Sequence, residues 1–133
     1  KDLYFGEDTF EKAESRMLSD SIIPLISKNN NIDLIISGDL QNQISSSNYA
    51  IRDKNIPFLG IFSACATYGE GLFIGANFIE GKRANNIIVS TSSHNMVAEK
   101  QFRNPTEYGA PKKKTTTWTS TGAASILLTN KSF

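Results

Sequence analysis

Phe10, Ala13, Met17, Ile22 and Leu25 recur at intervals that put them on roughly one side of a helix. The pattern predicts a helix over about residues 9–27, with Asp8 as N-cap and Glu11 reaching back to the cap N–H. Pro24 would bend that helix or end its regular part. Asn29-Asn30-Asn31 is a turn signal. The period then changes. Ile32-Asp33-Leu34-Ile35-Ile36 is a short apolar run, predicted as a strand over 32–37 that is buried on both faces, and Ser37-Gly38-Asp39 closes it. A second helix is expected over about 46–54, ended by Asn55-Ile56-Pro57, and a second strand over 58–62. The third helix is expected to start at Cys65, with Leu72, Ala76 and Ile79 on one side and Gly81 as its C-cap beside Lys82 and Arg83. Its glycines, Gly69, Gly71 and Gly75, predict close packing against another element. Residues 87–91 read as a third strand, 92–118 as a long polar loop ordered by Phe102, Tyr108 and Trp118, and 122–128 as the closing strand.

This alternation predicts an α/β fold, a mostly parallel mixed sheet with helices on both faces. The last strand, reached through a loop, is a candidate for an antiparallel edge. Ligands in such sheets bind beyond the carboxyl ends of the strands. That rule gathers Ser37-Gly38, Cys65 and Ser92-Ser93-His94-Asn95 at one rim.

Composition narrows the function classes. With 133 residues, 39% hydrophobic and 20% charged, the chain suits one domain or part of a larger one. Fourteen basic against 13 acidic residues give a net charge of +1 and no global field to draw nucleic acid. One Cys and one His exclude an internal disulfide and the usual zinc clusters. No apolar stretch approaches the roughly 20 residues of a membrane span. No phosphate-binding glycine motif follows a strand, and the serines lack a nucleophile-elbow setting. The abrupt ends are those expected of a piece of a longer protein.

The candidate chemistry centres on Gly60-Ile61-Phe62-Ser63-Ala64-Cys65-Ala66-Thr67, where a strand runs into a helix. A thiol at a helix N-terminus has its thiolate stabilised, and the same N–H groups can donate to a carboxylate. Cys65 is therefore either a nucleophile, a pocket residue for an anion, or a small core residue. His94 could pair with it across one cleft, or simply cap its strand. Glu99, Lys100 and Arg103 read as a solvated helical turn, with Arg103 a possible carboxylate partner. Lys112-Lys113-Lys114 beside Trp118 is a solvated basic run, or a weak contact for anionic lipid headgroups or an acidic partner.

From Cys65 to Val89, through Gly69, Leu72, Gly75-Ala76, Ile79, Gly81 and Ala84, the chain resembles the thiolase and condensing-enzyme superfamily, as does Thr121-Gly122-Ala123-Ala124. Leu3-Tyr4-Phe5-Gly6-Glu7, Ile36-Ser37-Gly38-Asp39-Leu40, Ile56-Pro57-Phe58-Leu59-Gly60, Thr91-Ser92-Ser93-His94-Asn95, Ala98-Glu99-Lys100-Gln101-Phe102-Arg103 and Pro105-Thr106-Glu107-Tyr108-Gly109 resemble one sporulation branch of it, the stage V sporulation protein AD family. The resemblance implies that 1–133 is the amino-terminal half of one thiolase-like domain, without its first strand and carboxyl-terminal half. It implies a dipicolinic acid-binding protein acting in uptake of that acid into the developing spore, peripheral at the inner membrane, with stage V sporulation membrane proteins as partners. No cofactor and no metal site is implied, calcium entering only as a companion of the ligand. Cys65, Thr67, His94 and Asn95 are the expected ligand-binding residues. Strand 58–62 is expected to pair with its copy in a full-length homodimer. The alternative is an acyltransferase or condensing enzyme with Cys65 as its acyl-carrying nucleophile.

Overall fold

A computed structural model describes residues 2–29, 31–103, 114–115 and 117–131. Its first helix, α1 (Phe10–Lys28), is capped by Thr9, whose backbone is extended and whose Oγ1 accepts the Lys12 N–H at 3.2 Å. The expected cap was Asp8. Its carboxylate binds the Lys12 ammonium at 2.8 Å instead, and Glu11 faces Lys100 at 3.8 Å rather than reaching back. Pro24 sits inside α1 without ending it. Ala13, Met17, Leu18 and Ile22 are buried on its inner face, and so is Glu14.

Strands β1 (Leu34–Gly38), β2 (Phe58–Gly60), β3 (Asn86–Ser93) and β4 (Gly122–Thr129) form one sheet in the order β2-β1-β3-β4. β1 runs parallel to β2 and to β3, while β4 lies antiparallel on β3 at the edge. Between β1 and β2 come a 3-10 turn (Asn42–Ile44) and α2 (Ser45–Ile51). Between β2 and β3 comes α3 (Thr67–Glu80). β3 runs two residues further than expected. The segment after β3 is not all loop, because α4 (Asn95–Ala98) continues into a π-helical turn over Glu99–Arg103. Phe102 and Arg103 side chains, Tyr108, Lys112 and Lys113 lie outside the described residues.

Side chains alternate across the central strands, so each feeds two cores. Ile35 and Ile88 pack with Leu18, Ile22, Ala50 and Ile51 beneath α1 and α2. Ile36, Ile87 and Val89 pack with Ile61 and Ala84 beneath α3. A Cβ on Gly71 would stand 2.7 Å from Val89 Cγ1, and one on Gly75 2.7 Å from Leu128 Cδ1. The glycines thus let α3 lie directly on the sheet, as their frequency suggested. Gly69 meets nothing.

Candidate functional site

The strand order makes a switch point. From β1 the chain moves to one side for β2 and to the other for β3. Crossovers on opposite faces leave a crevice beyond the carboxyl ends of β1 and β3. A hollow of about 540 Å³ lies there, lined among others by Asp39, Cys65, Tyr68, Thr91, Ser93 and Trp118. A larger groove of about 790 Å³ between α1 and α2 has charged walls and none of this strand-end chemistry.

Cys65 sits in a 3-10 turn (Ala64–Ala66), two residues before the start of α3. Its neighbour Ala64 holds a left-handed φ of 46°, a conformation that costs a residue with a side chain about 1 kcal/mol or more. Thr67 pins this turn. Its buried hydroxyl donates to the Ala64 carbonyl at 2.8 Å and accepts the Ser63 N–H at 3.0 Å. Gly38 lets the same segment approach, since a Cβ there would collide with the Ile61 carbonyl oxygen. These constraints present the Cys65 thiol exposed to the hollow and free of any disulfide.

The other expected site residues lie behind that surface. Thr67 is spent on the turn. His94 is fully buried, its ring 5.0 Å from that of Phe10. Its Nδ1 accepts the Met96 N–H at 3.2 Å, capping α4, which leaves Nε2 to donate to the Leu3 carbonyl at 3.0 Å. His94 is absent from the lining of the hollow. The strand alternates, and His94 turns to the α1 side. Asn95 builds the wall rather than facing the hollow: its N–H donates to Thr121 Oγ1 and its Nδ2 to the Thr119 carbonyl, each at 2.9 Å. Glu99, expected on a solvated face, is buried. Among the described residues no group of three or more His, Cys, Asp and Glu could hold a metal ion.

A buried polar network behind the hollow escaped the sequence reading. Asp39 accepts the Ser47 N–H and Oγ at 2.7 Å each and the Gln41 N–H at 2.8 Å. Gln41 Nε2 donates to Glu14 at 3.0 Å, and Ser92 Oγ donates to the other Glu14 oxygen at 2.9 Å. Burial pushes the Glu14 carboxyl up to about 7 against these hydrogen bonds, with Asp39 and Glu11 adding to the rise. The available signal was an acid at position 14 among buried neighbours of the apolar face, between Ala13 and Met17.

Residues 1–132 match the family described as stage V sporulation protein AD. The chain is 38% identical over 131 residues to stage V sporulation protein AD of Bacillus subtilis (strain 168), covering 96% of this chain and 39% of that protein. The fold is similar to 3-oxoacyl-[acyl-carrier-protein] synthase III from Aquifex aeolicus, with a TM-score of 0.60, 18% identity, and coverage of 88% of this chain and 38% of that one. It is likewise similar to the tetronic acid condensing enzyme AbyA1, with a TM-score of 0.59, 16% identity, and coverage of 99% and 42%. At these identities the two structures speak for the fold, which is thiolase-like.

Proposed function

The chain belongs to the stage V sporulation protein AD family, and from that premise we propose that its hollow binds dipicolinic acid during uptake of the acid into the developing spore. The observation that carries this reading is the hollow at the switch point, with the amino end of α3 and its preceding turn on one wall and Trp118 on another. Dipicolinate is a planar aromatic dianion. The positive end of a helix dipole suits a carboxylate, and an indole face suits the ring. Asp39 shares the lining, but its carboxylate accepts three hydrogen bonds from Ser47 and Gln41. Cys65 serves here as a contact residue, while Thr67, His94 and Asn95 shape the walls.

The chain spans 39% of the curated relative's length, so the test needs full-length protein. Dipicolinate, with and without calcium, should bind saturably, and Cys65→Ala should weaken binding without abolishing the fold. No saturable binding to the intact protein would end this reading. In the same proposal the full-length protein is a homodimer joined along the open edge of β2, and it sits at the spore's inner membrane with other stage V sporulation proteins. No helix among the described residues is long and apolar enough to cross a membrane.

The exposure of the Cys65 thiol favours a second reading, acyl transfer with Cys65 as acyl carrier. Mass spectrometry after incubation with acyl-coenzyme A decides it: an adduct on Cys65 supports an enzyme, and an unmodified thiol supports the binding protein.

A further inference from the structure

Glu14 lies in the second turn of α1 with its side chain turned inward and only 1% exposed. Two neutral groups hold it, Ser92 from the end of β3 and Gln41 from the segment after β1. Gln41 also donates through its backbone N–H to Asp39, whose carboxylate ties down the start of α2 through Ser47. One carboxyl therefore joins α1, β3 and residues 39–47. That segment carries two consecutive left-handed residues, Gln43 (φ 56°) and Ile44 (φ 47°), the second β-branched. Such residues persist only where their surroundings hold them.

We propose that Glu14 is a proton-controlled latch, which when protonated fastens residues 39–47 to α1 and when ionised loosens them at the back of the hollow.

The charge inventory around Glu14 gives the direction. Glu11 on its own helix and Asp39 beyond β1 are the charges that act on it, and both are negative. The neighbouring Lys100 faces Glu11 at 3.8 Å. α2 carries no charged side chain and only the exposed Tyr49 as an ionisable one, β3 offers Ser92, and β4 carries no ionisable side chain. The buried His94 and Glu99 flank α4, and both His94 nitrogens are engaged. A buried carboxylate held by two neutral donors and facing like charges is costly, whereas a carboxylic acid there is not. The acid places its proton on the oxygen facing Ser92, because the Ser92 hydroxyl can turn to accept it whereas Gln41 Nε2 can only donate. Burial raises the group to about 7, so it changes charge within the ordinary range of cellular pH. Loosened, the segment would shift Asp39 and Leu40, which line the hollow. The latch requires no ligand and stands apart from the dipicolinate reading.

Amide hydrogen exchange on the full-length protein at pH 5, 6, 7 and 8, corrected for base-catalysed chemical exchange, reads the latch directly. Protection at Gln41 and Ser47 is expected to fall by about tenfold per pH unit between pH 5 and 7 and to level off above. Glu14→Gln, which keeps a neutral amide in place, should hold protection high and flat. Ser92→Ala deletes a donor to the ionised carboxylate, so the decline should extend above pH 7. A flat profile in the native protein overturns the latch. So does a decline that persists in Glu14→Gln, or a Ser92→Ala profile identical to the native one.

Discussion

Three glycines permit a quantitative test of how the Cys65 turn is held in place. Replacing each by alanine adds the same methyl group at three sites of different room. At Gly69 the new Cβ meets nothing within 4 Å, so only helix propensity changes, and the variant should gain about 0.5–1 kcal/mol. At Gly71 the methyl stands 2.7 Å from Val89 Cγ1 and 3.3 Å from Ile61 Cδ1, both in a filled core. Overpacking costs about 1–3 kcal/mol, and a propensity gain of about 1 offsets part of it. The net loss should be about 1 kcal/mol. At Gly38 the methyl meets the Ile61 carbonyl oxygen and lies 2.6 Å from Thr67 Cγ2. Backbone cannot rotate aside as a side chain can, so the strand end and the 61–67 segment must separate. The expected loss is above about 3 kcal/mol, at the upper end of single-site effects. The assay is urea unfolding of full-length protein followed by circular dichroism, with the midpoint compared at constant slope. The order expected is Gly69→Ala above native, Gly71→Ala slightly below, and Gly38→Ala far below, the last also with altered Cys65 alkylation kinetics. Gly38→Ala costing under about 1 kcal/mol, or Gly69→Ala being the worst of the three, would refute the reasoning.

Glu14 also gives a pH-dependence of stability. Its folded value of about 7 exceeds the ordinary 4.5, so the folded state holds the extra proton between them and stability falls as pH rises through that window. The separation corresponds to about 3 kcal/mol, and Glu14→Gln should recover much of it at pH 8 while adding little at pH 4.5, as thermal melts at the two pH values would report. Asp39→Ala strips the partner from three buried donors on Ser47 and Gln41, and a loss of about 2–4 kcal/mol in chemical unfolding is expected, against a smaller loss for Asp39→Asn. Leu18→Ala, at a fully buried position of the α1 core, should cost about 3 kcal/mol by the same measurement.

Hydrophobic period gave the α/β class and the order of elements from α1 to β3, because burial on one helix face or on both strand faces demands those spacings, but it missed α4 in the segment expected to be loop. It also placed Cys65 at a strand–helix junction and marked Gly71 and Gly75, though not Gly69, as close contacts, both local consequences of residue size and backbone freedom. Element ends were less legible. Asp8 and Thr9 are both good caps, and only the backbone path selects Thr9. Tertiary structure decided which side of the rim each residue serves. His94 follows Ser93 by one position, and that single step in an alternating strand sends its ring to α1 instead of the hollow. Glu14, the Asp39–Gln41 segment and Ser92 are far apart along the chain, and no local pattern predicts that α1, β3 and the residues after β1 come within hydrogen-bond distance. Sequence spacing records which face a residue prefers; what stands opposite that face is set only when the distant elements pack.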